Sequence, residues 1–196
     1  MQLDPQYWQE RYQQAQIGWD LGAISTPLKA YIDQLPNKDL RILVPGGGNG
    51  YEAAYLFEQG FHNTYLLDWA AAPLERFAKA HPDFPKSQLL QEDFFALKAE
   101  KPFDLILEQT FFCAIHPSLR PAYARHSAEL LALNGKLVGL LFDAFLNQDQ
   151  PPFGGHKAEY EAYFAPYFEF VHFETCYNSI APRAGRELFI CLQKRK

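Results

Sequence analysis

Val44-Pro45-Gly46-Gly47-Gly48-Asn49-Gly50-Tyr51 follows a short apolar run, Arg41-Ile42-Leu43-Val44, and precedes an amphipathic stretch reaching to about residue 59. Strand, glycine turn and helix in that order open a doubly wound α/β sheet. Glycine tolerates positive φ and lets backbone approach a ligand, while the first helical turn offers unpaired N–H groups. Four glycines within five positions exceed what strand–helix packing alone is expected to demand, so a ligand is predicted at this turn. In open α/β sheets such ligands lie at the carboxyl ends of the strands, beside the point where strand order reverses.

The alternation continues outward from the turn. Residues 63–67, 87–90, 103–107 and 136–142 read as strands, and 74–79 and roughly 121–133 as helices, the latter ending at Asn134-Gly135. A helix spans 160–163, and two strands cover 169–176 and 187–192. About ten residues separate those strands, too few for a helical crossover, so they are predicted to pair antiparallel. On the amino side, Tyr7, Trp8, Arg11 and Tyr12 follow helical spacing, and Ser25-Thr26-Pro27 opens a second short helix ending near Ile32. The expected fold is α/β: a doubly wound sheet of about seven strands, its last pair antiparallel, within a single domain over 1–196. Residues 1–36 are expected to form an N-terminal helical lid, and 145–157, with Pro151-Pro152 and Gly154-Gly155, an active-site loop.

Composition narrows the function. At 196 residues, with 48% hydrophobic and 21% charged, the chain is an ordinary globular one, able to bury roughly 70% of its unfolded surface. A formal net charge of -5 offers no positive field for nucleic acid or an anionic membrane, so neither is expected as a partner. Cys113, Cys176 and Cys191 form no C-x-x-C pair and read as reduced thiols; no metal site is expected. The opening residues carry neither a basic nor an apolar leader segment, and a cytoplasmic location is expected.

The glycine spacing selects the ligand. A dinucleotide fingerprint would need glycine at 51, where Tyr51 obstructs close packing beneath a pyrophosphate. Gly46, Gly48 and Gly50 give instead the G-x-G-x-G spacing of S-adenosylmethionine sites. Asp68, ending the second strand, stands where an acid accepts from both ribose hydroxyls, although a helix cap is the other role Asp favours. Asp93 and Phe94, after the third strand, suit an adenine amino group and its ring, with a capped turn over core phenylalanines as the alternative.

These residues resemble the thiopurine S-methyltransferase family, in particular its thiol, thiocyanate and halide methyltransferase branch. The resemblance rests on Leu43-Val44-Pro45-Gly46, on Trp8, Tyr12 and Trp19-Asp20, and on Phe103-Asp104-Leu105-Ile106 with Phe111-Phe112-Cys113-Ala114-Ile115 and Arg120-Pro121. Asn134-Gly135, Pro151-Pro152-Phe153 and the segment from Ser179 to Glu187 extend it over nearly the whole chain. Tyr12 departs from the tryptophan usual there. The resemblance implies a class I S-adenosylmethionine methyltransferase fold and in-line methyl transfer to a small thiol, thiocyanate, halide or related soft nucleophile. It also implies that Trp8, Tyr12, Trp19, Gly46, Asp68, Asp93, Phe94 and Gln109 hold the cofactor, with the acceptor among Phe111, Phe112, Phe153 and Arg183. No general base is assigned, because a thiol near pKa 8.5 already provides some thiolate at neutral pH. Two other readings are a cofactor-binding regulatory protein without turnover and, on the same sheet, a nicotinamide-linked reductase.

Overall fold

The computed structural model describes residues 3–196; Met1 and Gln2, which the predicted lid includes, lie outside the described residues. Ile42–Pro45 (β1) is buried along its whole length and pairs in parallel with Thr64–Asp68 (β2) on one side and Phe103–Gln109 (β4) on the other. Leu89–Gln91 (β3) lies beyond β2, and Leu131–Phe142 (β5) beyond β4. Glu187–Lys194 (β7) then pairs antiparallel with both β5 and Phe168–Thr175 (β6). The sheet order is β3-β2-β1-β4-β5-β7-β6, seven strands with the expected antiparallel end. Strand order reverses between β1 and β4, at the carboxyl ends where the glycine turn emerges.

Side-chain alternation divides the core between the sheet's faces. Ile42, Val44, Leu105 and Leu107 belong to one cluster, with Leu56, Phe61 and Phe77. Leu43 and Ile106 belong to the other, with Phe112, Tyr123, Phe164 and Phe168. Each such side chain contributes about 1.5–3 kcal/mol by leaving water. Tyr51–Glu58 (α3) and Ala71–Ala80 (α4) cover the first face, and Arg120–Leu130 (α5) and Lys157–Phe164 (α6) supply much of the second.

One boundary moves. The helix expected to run to residue 133 stops at Leu130, and β5 begins at Leu131, which pairs with Phe103. The register then slips, and pairing resumes at Leu105 with Lys136. Asn134, at φ 62, and Gly135 therefore form a kink inside a strand instead of a helix stop. Burying Leu131 against the sheet outweighs another helical turn.

At the amino end, Pro5–Gln13 (α1) is capped by Asp4, whose side chain accepts from the Tyr7 N–H at 2.9 Å. Gln9 Oε1 accepts from the Ala72 N–H at 2.9 Å, and Arg76 donates to the Tyr12 carbonyl at 3.3 Å, so α1 lies against the start of α4. Thr26–Ile32 (α2) buries Leu28 and Ile32 in the first cluster. The 145–157 loop is held from below: the Phe153 N–H donates to the Cys113 carbonyl at 2.7 Å, and Arg120 Nη2 donates to the Phe153 carbonyl at 3.2 Å. Among the described residues, no helix is long and apolar enough to cross a membrane.

Candidate active site

A cavity of about 420 Å³ opens at the carboxyl ends of β1, β2, β3 and β4. Of the predicted site residues, Trp8, Tyr12, Trp19, Gly46, Asp68, Asp93, Phe94 and Phe111 line it. Gln109 lines a smaller neighbouring cavity of about 50 Å³, with Asp20, Asn49, Tyr51 and Glu52. Tyr12, Trp19, Gly46 and Thr110 border both, so the two form one continuous region.

The acid at the end of β2 is 6% exposed. Asp68 Oδ2 accepts from the Gly48 N–H at 3.0 Å and Oδ1 from the Ala70 N–H at 2.9 Å. The turn-capping alternative is thus realised, yet a carboxylate has about four lone-pair positions and these bonds use only part of them. Burial pushes its carboxyl up to about 6, against the lowering by the N–H groups of Ala70, Gly48 and Trp69. Asp93 Oδ1 likewise accepts from the Phe95 N–H at 3.0 Å.

The glycines have a different explanation from the expected one. Gly46, Gly48 and Gly50 all have positive φ, 56°, 53° and 74°. A Cβ on any of the four would run into protein: the Phe111 ring at Gly46, Leu66 at Gly47, the Tyr12 hydroxyl at Gly48 and the Phe77 ring at Gly50. Packing against phenyl rings accounts for Gly46 and Gly50, and the number of glycines is not by itself an argument for a ligand. What marks the turn as a binding site is the cavity beside it and the polar groups facing that cavity.

The three aromatic positions of the amino segment come together. Trp8 and Trp19 meet edge to face at 5.7 Å, and Tyr12 and Trp19 at 6.1 Å. Burial, with the Asp68 charge beside it, raises the Tyr12 phenol, which stays neutral. Asp20 fastens this segment to the glycine turn, accepting from the Asn49 amide and, at 3.2 Å, from the Tyr51 hydroxyl.

Three predicted acceptor residues are not brought to either cavity. Phe112 is 1% exposed and packs in the core on Tyr123, Tyr160 and Phe164. Phe153 is buried under its loop, whose Pro151 and Pro152 reach the cavity in its place. Arg183 lines neither cavity and is engaged by Glu187 at 3.2 Å and the Trp19 carbonyl at 2.9 Å. Cys113 does reach the wall, but burial pushes its thiol up to about 12.

Sequence reasoning passed over Trp69, which follows Asp68 and lines the cavity, and Thr110, a β-branched residue at φ 60. It also passed over Glu108. That glutamate stands two residues after Ile106 in Phe103-Asp104-Leu105-Ile106-Leu107-Glu108 and so shares its face, which was a signal that it faces the core.

The residues present fit a nucleoside cofactor with an amino-acid tail. Asp68 is an acid with lone pairs to spare, and Gln109 Oε1 is buried without a hydrogen-bond partner, an acceptor awaiting a donor. The family description "Thiopurine S-methyltransferase (TPMT)" matches residues 3–191. The chain belongs to the thiopurine S-methyltransferase family. It is accordingly a methyltransferase dependent on S-adenosylmethionine. Relatives of this family are similar over most of the length. The "Probable thiol methyltransferase 2" of Arabidopsis thaliana is 33% identical over 187 residues, covering 92% of this chain and 81% of its own. The "Thiocyanate methyltransferase 1" of Brassica oleracea is 33% identical over 186 residues with the same coverage. Among solved structures, the 1,6-didemethyltoxoflavin-N1-methyltransferase of Burkholderia thailandensis superposes with a TM-score of 0.79 at 19% identity, over 98% of this chain and 87% of that one, and shares the fold.

Proposed function

We propose that this chain methylates small, soft nucleophiles: thiols and their anions, thiocyanate and halides. The observation that carries this reading is the cavity wall. It is rich in aromatic and aliphatic side chains, and among the described residues no Lys or Arg lines it. Weakly hydrated, polarisable acceptors lose little on entering such a wall, whereas strongly hydrated oxyanions would leave water without gaining a cationic partner. The names of the two plant relatives agree in substrate type.

In this reading Asp68 accepts from the ribose hydroxyls, and Asp93 and Phe94 hold the adenine. Trp8, Tyr12 and Trp19 close over the cofactor from the 1–36 segment, which serves as a lid with the 145–157 loop opposite. Gln109 Oε1 receives a donor of the amino-acid end. Bound S-adenosylmethionine supplies a methyl on a sulfonium, open to in-line displacement. The chain contributes positioning and exclusion of water, worth several kcal/mol together. His116, on the cavity rim, meets Ser118 through Nδ1, 2.8 Å from its Oγ and 3.3 Å from its backbone nitrogen, which leaves Nε2 as the ring nitrogen without that contact.

The test is S-adenosylhomocysteine release over thiocyanate, iodide, hydrosulfide, an aromatic thiol, a thiopurine and tellurite. Turnover is expected with the soft acceptors and not with tellurite. Cofactor binding without turnover on any of them would establish the regulatory reading instead.

A further inference from the structure

Glu108 joins two aromatic walls of the cavity without lining it. The residue is 0% exposed. Its Oε1 accepts from the N–H groups of Phe111 at 2.8 Å and Phe112 at 2.9 Å, and its Oε2 accepts from the Tyr123 hydroxyl at 2.6 Å. Tyr123 in turn stacks on Phe94, with centroids 5.2 Å apart and planes at 29°, and meets Phe111 edge-on at 5.9 Å. One carboxylate thus binds the backbone that carries Phe111 and the ring that supports Phe94.

Two further features converge on it. Thr110 holds φ 60 between Glu108 and the bonded N–H groups, a conformation that persists in a β-branched residue only where its surroundings over-determine it. On the neighbouring strand, a Cβ at Gly139 would collide with the Glu108 carbonyl oxygen and Cβ, so β5 passes close against β4 at this residue. The titratable groups facing it are Tyr123 from α5 and the Cys113 thiol, both of which feel its charge. Burial pushes the Glu108 carboxyl up to about 7, so keeping an acid here disfavours the ionised fold at neutral pH. An apolar residue of similar size would avoid that cost.

We propose that Glu108 is a positioning residue: by holding the Phe111–Phe112 backbone and the Tyr123 hydroxyl together, it fixes the Phe94 and Phe111 walls and turns Thr110 into the cavity, and so sets cofactor and acceptor geometry. The kinetic part rests on the methyl-transfer reading; the binding part rests on the cofactor alone.

The experiment compares Glu108→Ala, Glu108→Gln and Tyr123→Phe by thermal melting, calorimetric S-adenosylhomocysteine affinity, and kcat and KM with thiocyanate at saturating cofactor. Thiocyanate stays anionic throughout, so its own titration does not intrude. Well below its melting midpoint, E108A is expected to bind S-adenosylhomocysteine at least about tenfold more weakly and to lose at least about tenfold in kcat/KM, the scale of a displaced site wall. E108Q is expected within about threefold of the parent on both, because its amide oxygen still accepts both N–H groups and its amide N–H donates to the Tyr123 oxygen, reversing that bond without breaking it. E108Q should also melt higher than the parent at pH 8, having lost a buried charge. An E108A protein with the parent's affinity and kinetics, or an E108Q protein as impaired as E108A, overturns the proposal. Should E108A not melt cooperatively, Y123F decides, with weaker S-adenosylhomocysteine binding expected and unchanged binding overturning the proposal. If the parent binds S-adenosylhomocysteine but turns over no acceptor, the methyl-transfer reading fails, and the affinity comparison still judges Glu108.

Discussion

Arg183 Nη2 donates to the Trp19 carbonyl oxygen at 2.9 Å, tying together residues 164 positions apart in the chain. The same guanidinium pairs with the buried Glu187 on β7. The arginine expected to attract an acceptor fastens the amino-terminal segment to the antiparallel end of the sheet. Arg183→Met should therefore destabilise the fold by about 3 kcal/mol, since it leaves Glu187 buried and unpaired. It should weaken thiocyanate and neutral thiol acceptors to the same degree. Melting and paired KM measurements check this, and a loss confined to the anionic acceptor would restore the anion role.

Asp68 makes cofactor binding depend on pH. Its carboxyl, ordinarily near 3.8, is raised to about 6, so it is substantially protonated at pH 5 and ionised at pH 7.5. Hydroxyl donors need the ionised form, and affinity for S-adenosylhomocysteine should fall as pH drops through 6. The linkage to stability runs the other way. The native state holds this proton more tightly than the unfolded chain, so the group's contribution is full below about pH 4 and is lost as pH rises through 6. Asp68→Ala should stay folded, lose most cofactor affinity and flatten the calorimetric pH profile.

Trp8 tests the aromatic closure. A π-face beside a sulfonium is favourable by about 0.5–2 kcal/mol, a preference that the uncharged product does not enjoy. Trp8→Leu should cost S-adenosylmethionine about 2- to 30-fold in affinity and S-adenosylhomocysteine less. Equal losses for the two ligands would reduce Trp8 to a packing residue against Trp19.

Gly46 tests the turn. An alanine there combines a φ of 56° with a collision on the Phe111 ring. About 1–2 kcal/mol is expected from the backbone and about 1–3 kcal/mol from overpacking. Phe111→Ala should recover the second part and not the first, which a double-mutant cycle in urea separates.

Much of this was legible in the sequence. The doubly wound sheet and its antiparallel final pair follow from local spacing and chain-length limits, and the meeting of Trp8, Tyr12 and Trp19 from the family resemblance. Contacts that depend on distant partners were not. Whether Phe112 or Phe111 faces the cavity is decided by Glu108 gripping the turn, and Arg183 is taken up by Trp19 and Glu187, which no local pattern announces. Leu131 likewise left its helix for a partner on β4. The glycines misled in the opposite sense, since their neighbours Phe111, Leu66, Tyr12 and Phe77 are set by the tertiary fold.

The most direct measurement is a crystal structure of the protein grown with S-adenosylhomocysteine. The ribose hydroxyls should lie within hydrogen-bond distance of Asp68, the adenine beside Asp93 and Phe94, and the thioether sulfur under Trp8 and Trp19. Density for the nucleoside anywhere else, or an Asp68 that contacts only the Gly48 and Ala70 N–H groups while ligand is bound, would contradict the account.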